Sequence, residues 1–116
     1  MSTLAGIGAE DAGRPLALPA LTVRVDKDME ALVQRFLSRK RADIDRLRSA
    51  LNAADFETIR RIGHDLKGSG EGFGFPELSA FGAALEGAAI ARNERALSEQ
   101  LAAVEQFLSR LRVTFR

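Results

Sequence analysis

The chain has 116 residues, 46% hydrophobic and 28% charged, enough apolar material for one small core beneath a water-facing surface. A formal net charge of +1 gives no overall basic field of the kind that marks nucleic-acid binders, so nucleic acid is not an expected partner. With no cysteine and one histidine the chain offers neither disulfides nor thiolate or multi-histidine metal sites. No apolar run reaches the roughly 18 to 20 residues that cross a bilayer, so neither a bound metal nor a membrane is expected.

Residues 1 to 25 hold Pro15 and Pro19, several small residues and no helical period, and are expected to form a flexible N-terminal arm. As a secretory leader the segment is poor: it lacks a positively charged start, Glu10 and Asp11 precede its apolar part, and the prolines interrupt it. Leu21, Val23 and Val25 alternate as an extended segment would, so the end of the arm is expected to lie in a groove of the body.

From Asp26 onward, over residues 26 to 116, the period is helical. Asp26 or Asp28 can cap a first helix whose apolar stripe is Met29, Leu32, Val33, Phe36, Leu37, Ile44, Leu47 and Leu51. Residues 52 to 55 break it, and Asp55 can cap a second helix that carries the histidine and weakens at Gly70, Gly72 and Gly74. Pro76 suits the first turn of a third helix with Leu78, Phe81, Leu85 and Ala88 or Ala89 inside. Asn93 opens a fourth, striped by Leu97, Leu101, Val104, Leu108 and Leu111 with Phe107 beside them. The expected fold is all-α, an antiparallel four-helix bundle with an N-terminal arm, and no run of alternating strands competes with it.

On the second helix Phe56, Ile59, Ile62, Gly63, Leu66, Gly70 and Phe73 fall on one side and can face the core, which turns His64 outward. Steps of three and four, neighbours on a helix surface, place Arg60, Arg61, Lys67 and Gly68 around the imidazole. Each glycine inside a helix costs roughly 1 kcal/mol relative to alanine, so packing or function must offset it. Gly63 and Gly70 face inward, where a missing side chain lets helices approach. Gly68 faces outward, one turn from His64, where a side chain would obstruct a protein approaching the imidazole. Glu71 lies two turns along the same face, Asp65 is a less direct neighbour, and Phe73 and Phe75 are expected in the core or the helix joint. The string from Gly68 to Gly74 lacks the Gly-Lys-Ser/Thr ending of a P-loop and the glycine spacing of a dinucleotide site, so the chain carries no ATP site of its own to support a kinase activity. A surface histidine or lysine taken alone is usually a solvated side chain. Here the surrounding pattern argues otherwise.

The run His64, Leu66, Lys67, Gly68, Gly74 and Leu78, with Leu85-Glu86 beyond it, resembles the histidine-containing phosphotransfer (HPt) domain of bacterial two-component phosphorelays. The resemblance extends more weakly over about residues 26 to 112. It implies a cytoplasmic phosphocarrier, not an enzyme, that works as a monomer and whose partners are response-regulator receiver domains or a hybrid histidine kinase. His64 would accept a phosphoryl group from a receiver aspartate and return it to another receiver, while Lys67 neutralises charge on the moving group and Gly68 leaves the docking surface clear. Arg60 and Arg61 would add to the local positive field. No cofactor is implied in this chain, since the receiver would supply the acidic site and its Mg²⁺. The alternative is a helical docking module that binds a receiver or another signalling protein without carrying phosphate.

Overall fold

The computed structural model describes residues 20–116. The helical period after Asp26 is realised in four helices, α1 (Glu30–Asn52), α2 (Phe56–Gly70), α3 (Pro76–Ile90) and α4 (Glu94–Arg110). Their starts follow local chemistry. Asp26 accepts from the Asp28 amide at 2.9 Å and caps a single 3-10 turn, Lys27–Met29, that leads into α1. Asp55 accepts from the amide of Thr58 at 3.2 Å and from its hydroxyl at 2.6 Å, and Asn93 accepts from the amide of Ala96 at 3.0 Å. These side chains satisfy amides that a helix N-terminus leaves without a carbonyl. Pro76, which has no amide to satisfy, occupies the first turn of α3. The short joints fold the helices into an antiparallel bundle in which α1 and α3 each pack against α2 and α4.

Val33, Leu37 and Leu47 of α1 meet Ile59 and Leu66 of α2, Leu78 and Leu85 of α3, and Leu97 and Val104 of α4 in one continuous core. Phe75 is fully buried at the α2–α3 joint, and Phe36 stacks on Phe73 with ring centroids 4.4 Å apart. Gly74 adopts φ +91°, a left-handed conformation that a side chain would strain, and so turns the chain from the end of α2 towards α3. Phe73 and Phe75 thus take the core and joint positions expected of them. No helix among the described residues is long and apolar enough to cross a membrane.

Four features depart from the sequence reading. Leu21–Val25 forms a strand, β1, paired in parallel with a second strand, β2 (Leu111–Phe115), so that Leu21 faces Leu111 and Val25 faces Phe115. The alternation of Leu21, Val23 and Val25 was legible, but its partner is a strand and not a groove between helices. The rest of the expected arm lies outside the described residues, apart from Ala20. Leu111 is buried as expected, yet it opens β2 instead of ending α4: Val113, Thr114 and Phe115 favour extended backbone, and β1 supplies their hydrogen-bonding edge. Leu32, placed in the core stripe, is 48% exposed. Finally α2 stops at Gly70, and residues Glu71–Phe73 form a 3-10 turn.

Candidate functional site

The α2–α3 seam is the closest in the bundle, and the glycines make it so. A Cβ on Gly63 would stand 2.8 Å from the amide nitrogen of Glu86 and the carbonyl of Gly82. One on Gly70 would stand 2.6 Å from the amide nitrogen of Ser79, and one on Gly82 would meet the backbone of Lys67, Leu66 and Gly63. Backbone therefore lies on backbone along this seam. The inward readings of Gly63 and Gly70 hold; the facing Gly82 was not singled out. Because α3 lies so near, a side chain near its C-terminal half reaches across to the exposed face of α2.

That side chain is Glu86. One of its oxygens lies 3.0 Å from Nδ1 of His64 and the other 2.8 Å from Nζ of Lys67. The carboxylate is largely covered, its side chain 15% exposed, whereas the imidazole is 60% exposed. The ammonium of Lys67, and then the imidazole, hold the Glu86 carboxyl below the usual carboxylate range by donating hydrogen bonds to it. An ionised carboxylate can only accept, so the proton of a neutral imidazole sits on Nδ1. Nε2 then keeps its lone pair and faces away from Glu86. Two exposed residues one turn apart are thereby bound to the two oxygens of a single anion on the neighbouring helix.

The surroundings of the ring match some expectations and alter others. A Cβ on Gly68 would meet no atom within 4 Å, so this position is open surface, as expected. Lys67 lies beside His64, but its ammonium is bound to Glu86. Arg60 turns away to form a two-pronged pair with Glu57, at 3.0 Å from Nε and 2.7 Å from Nη2. Arg61 is exposed and forms no hydrogen bond or ion pair among the described residues. Across from His64, α1 presents Arg39 and Arg46, which line a groove with Asp65 and Gly68.

Sequence reasoning quoted Glu86 as part of the pattern without giving it a task. The available signal was an acid directly after Leu85, at the edge of an apolar face, where a carboxylate is expensive unless paired. Gly82, four residues earlier on the same helix, was the companion signal for a close approach. Among the described residues no cluster of histidine, cysteine or carboxylate side chains could hold a metal ion.

Compared with models of known families, residues 31–114 match the Hpt domain. No curated protein and no solved structure gives a significant match.

Proposed function

Because the chain belongs to the Hpt domain family, a family of phosphocarriers acting with receiver domains or kinases in phosphorelays, we propose that His64 is its phosphoacceptor. Nε2 attacks the phosphorus of a receiver's aspartyl phosphate in line. The N–P bond forms as the bond from phosphorus to the carboxylate oxygen breaks, and the aspartate leaves as a free carboxylate. The reverse reaction loads the next receiver. The observation that carries this reading is the Glu86 contact at 3.0 Å, which fixes the ring with Nε2 outward.

The chemistry follows from charge. As Nε2 gives its lone pair to phosphorus, positive charge spreads over the ring, and a carboxylate already in place at Nδ1 stabilises it without reorganising. Nδ1 keeps its proton throughout. Lys67 acts through Glu86 as a positioning residue, holding the second carboxylate oxygen, while its ammonium stays one turn from the imidazole and adds positive potential for the equatorial phosphoryl oxygens. Gly68 leaves room for the receiver's aspartate to reach Nε2. Arg60 contributes little, since Glu57 takes its charge, and Arg61 contributes a diffuse positive field. The Mg²⁺ and acidic pocket that bind the phosphoryl group belong to the receiver, and the domain acts as a monomer without a cofactor of its own.

The test is incubation with receiver domains phosphorylated on aspartate in the presence of Mg²⁺. Wild type should gain one acid-labile, alkali-stable phosphate per chain, and folded His64→Gln none. Label persisting in His64→Gln would refute the assignment. A wild-type protein that binds a receiver but takes no phosphate would instead favour the docking module.

A further inference from the structure

A groove runs between α1 and α2 on the side that presents His64. The part nearest the imidazole, about 480 Å³, is lined by Arg39, Asp43 and Arg46 of α1 and by His64, Asp65 and Gly68 of α2. Past Arg39 and Lys40, which line both parts, a smaller hollow of about 150 Å³ continues along α1 to Arg35 and Leu32. Leu32, Arg35 and Arg39 are spaced three and four apart and so share one face of α1.

The charges along this groove divide into used and unused. Buried Asp43 accepts from Lys40 at 3.4 Å and from Arg46 at 3.1 Å, so these three groups largely satisfy one another. Arg35 and Arg39 are exposed and form no hydrogen bond or ion pair among the described residues. Among the described residues Leu32 is one of two large apolar side chains left exposed, and it stands at the end of the groove remote from His64. An apolar anchor, two unspent guanidinium groups and the phosphoacceptor therefore follow one another along a single continuous surface. A guanidinium fork matches a carboxylate in two-point geometry.

We propose that this groove seats an acidic segment of the receiver partner, with Arg35 and Arg39 selecting among receivers by pairing with its carboxylates and Leu32 gripping an apolar side chain beyond them. The class of partner rests on the phosphorelay reading; the charge selection rests on the groove. Charges at the rim of an interface act mainly on encounter rate and discrimination between partners, which suits a carrier that must find one receiver among many.

The probes are the receiver domains of the source organism, phosphorylated with acetyl phosphate, with binding and phosphotransfer both measured at low and high salt. Arg35→Glu and Arg39→Glu are compared with Arg95→Glu, a charge-matched control at a 90% exposed position on α4 outside the groove. Each groove variant should lose roughly tenfold or more in binding and transfer rate at low salt, with a flatter salt dependence, while Arg95→Glu stays near wild type. An Arg35→Glu/Arg39→Glu protein that binds with wild-type affinity and salt dependence would overturn the proposal. So would an equal loss in Arg95→Glu, or a wild type that binds no receiver. A wild type that binds in an Arg39-dependent way yet takes no phosphate would refute phosphate carriage and still support the groove, because binding is read directly.

Discussion

Gly68 and Gly70 lie two residues apart on one helix, and changing each to glutamine should move stability in opposite directions. At Gly68 a new Cβ meets nothing within 4 Å, so the substitution replaces a poor helix former by a good one and stabilises by up to about 1 kcal/mol. At Gly70 the Cβ alone would stand 2.6 Å from the backbone nitrogen of Ser79, 2.9 Å from its hydroxyl oxygen and 3.0 Å from Cβ of Leu78. The nearest atom is backbone, which cannot swing aside, so α2 and α3 must part or Gly70 must leave the helix. Overpacking of this kind costs about 1 to 3 kcal/mol, and it also disturbs the 2.7 Å bond that the Ser79 hydroxyl accepts from the amide of Glu71. At about 4–8 °C per kcal/mol for a domain of this size, the two melting curves should separate by roughly ten to thirty degrees, Gly68→Gln above wild type and Gly70→Gln below. Function should separate the other way for the first variant. A glutamine beside the imidazole keeps the receiver's aspartate from closing on Nε2, and displacements on the order of 1 Å cost up to about 100-fold in rate, so transfer to Gly68→Gln should fall at least tenfold by about the same reasoning. Thermal melts by circular dichroism and quenched-flow phosphotransfer read the two effects separately. A Gly68→Gln protein that melts below wild type, or that accepts phosphate at the wild-type rate, would show that the space beside His64 is misjudged.

Other perturbations test the remaining contacts. Glu86→Gln should fold normally yet accept phosphate about tenfold or more slowly, because a neutral amide cannot stabilise the charge that grows on the ring; Lys67→Ala should slow transfer less while leaving receiver binding intact, and wild-type rates in both would refute their roles as positioning residues. Thr58 holds the Asp55 carboxyl below its ordinary range by side-chain and backbone hydrogen bonds, so the stability Asp55 contributes is present at neutral pH and lost as pH falls through its depressed value. The gap in melting temperature between wild type and Asp55→Ala should therefore shrink in acid, and a gap that widens would contradict the cap. Val113→Asp places a charge on the half-buried side of β2 and should cost about 1 to 3 kcal/mol in urea unfolding, with faster exchange of the Lys27 and Arg116 amides that close the strand pair; an unchanged midpoint would mean that the pairing contributes nothing to stability.

Much of this arrangement was legible before any coordinates, for physical reasons that differ by residue. Asp55, Pro76 and Asn93 mark helix starts because capping is local chemistry. The stripes of α2 and α4 declare their buried faces because a period of 3.6 over many residues has no other simple cause. The outward direction of His64 and the inward direction of Gly63 and Gly70 follow from the same period. Its limits appear where the decisive contact is distant in sequence. The pairing of β1 with β2 joins residues 90 apart, as Leu21 and Leu111 show, and five residues of Leu-Arg-Val-Thr-Phe read as the end of a helix until a neighbouring strand is known. Glu86 is 22 positions from His64, and only the glycine-lined approach of α3 shows that its carboxylate reaches the ring. Arg60 sits where helical spacing puts it, but spacing does not reveal that Glu57, three residues back, captures its guanidinium.

The central claim is that His64 carries phosphate on the nitrogen opposite Glu86, and phosphorus NMR of the protein loaded by a receiver domain reads this directly. The expected spectrum shows a single phosphohistidine with phosphorus on Nε2, absent from His64→Gln and discharged when an unphosphorylated receiver and Mg²⁺ are added. Phosphorus on Nδ1, or a phosphate on any residue other than His64, would contradict the orientation that Glu86 imposes and the mechanism built on it.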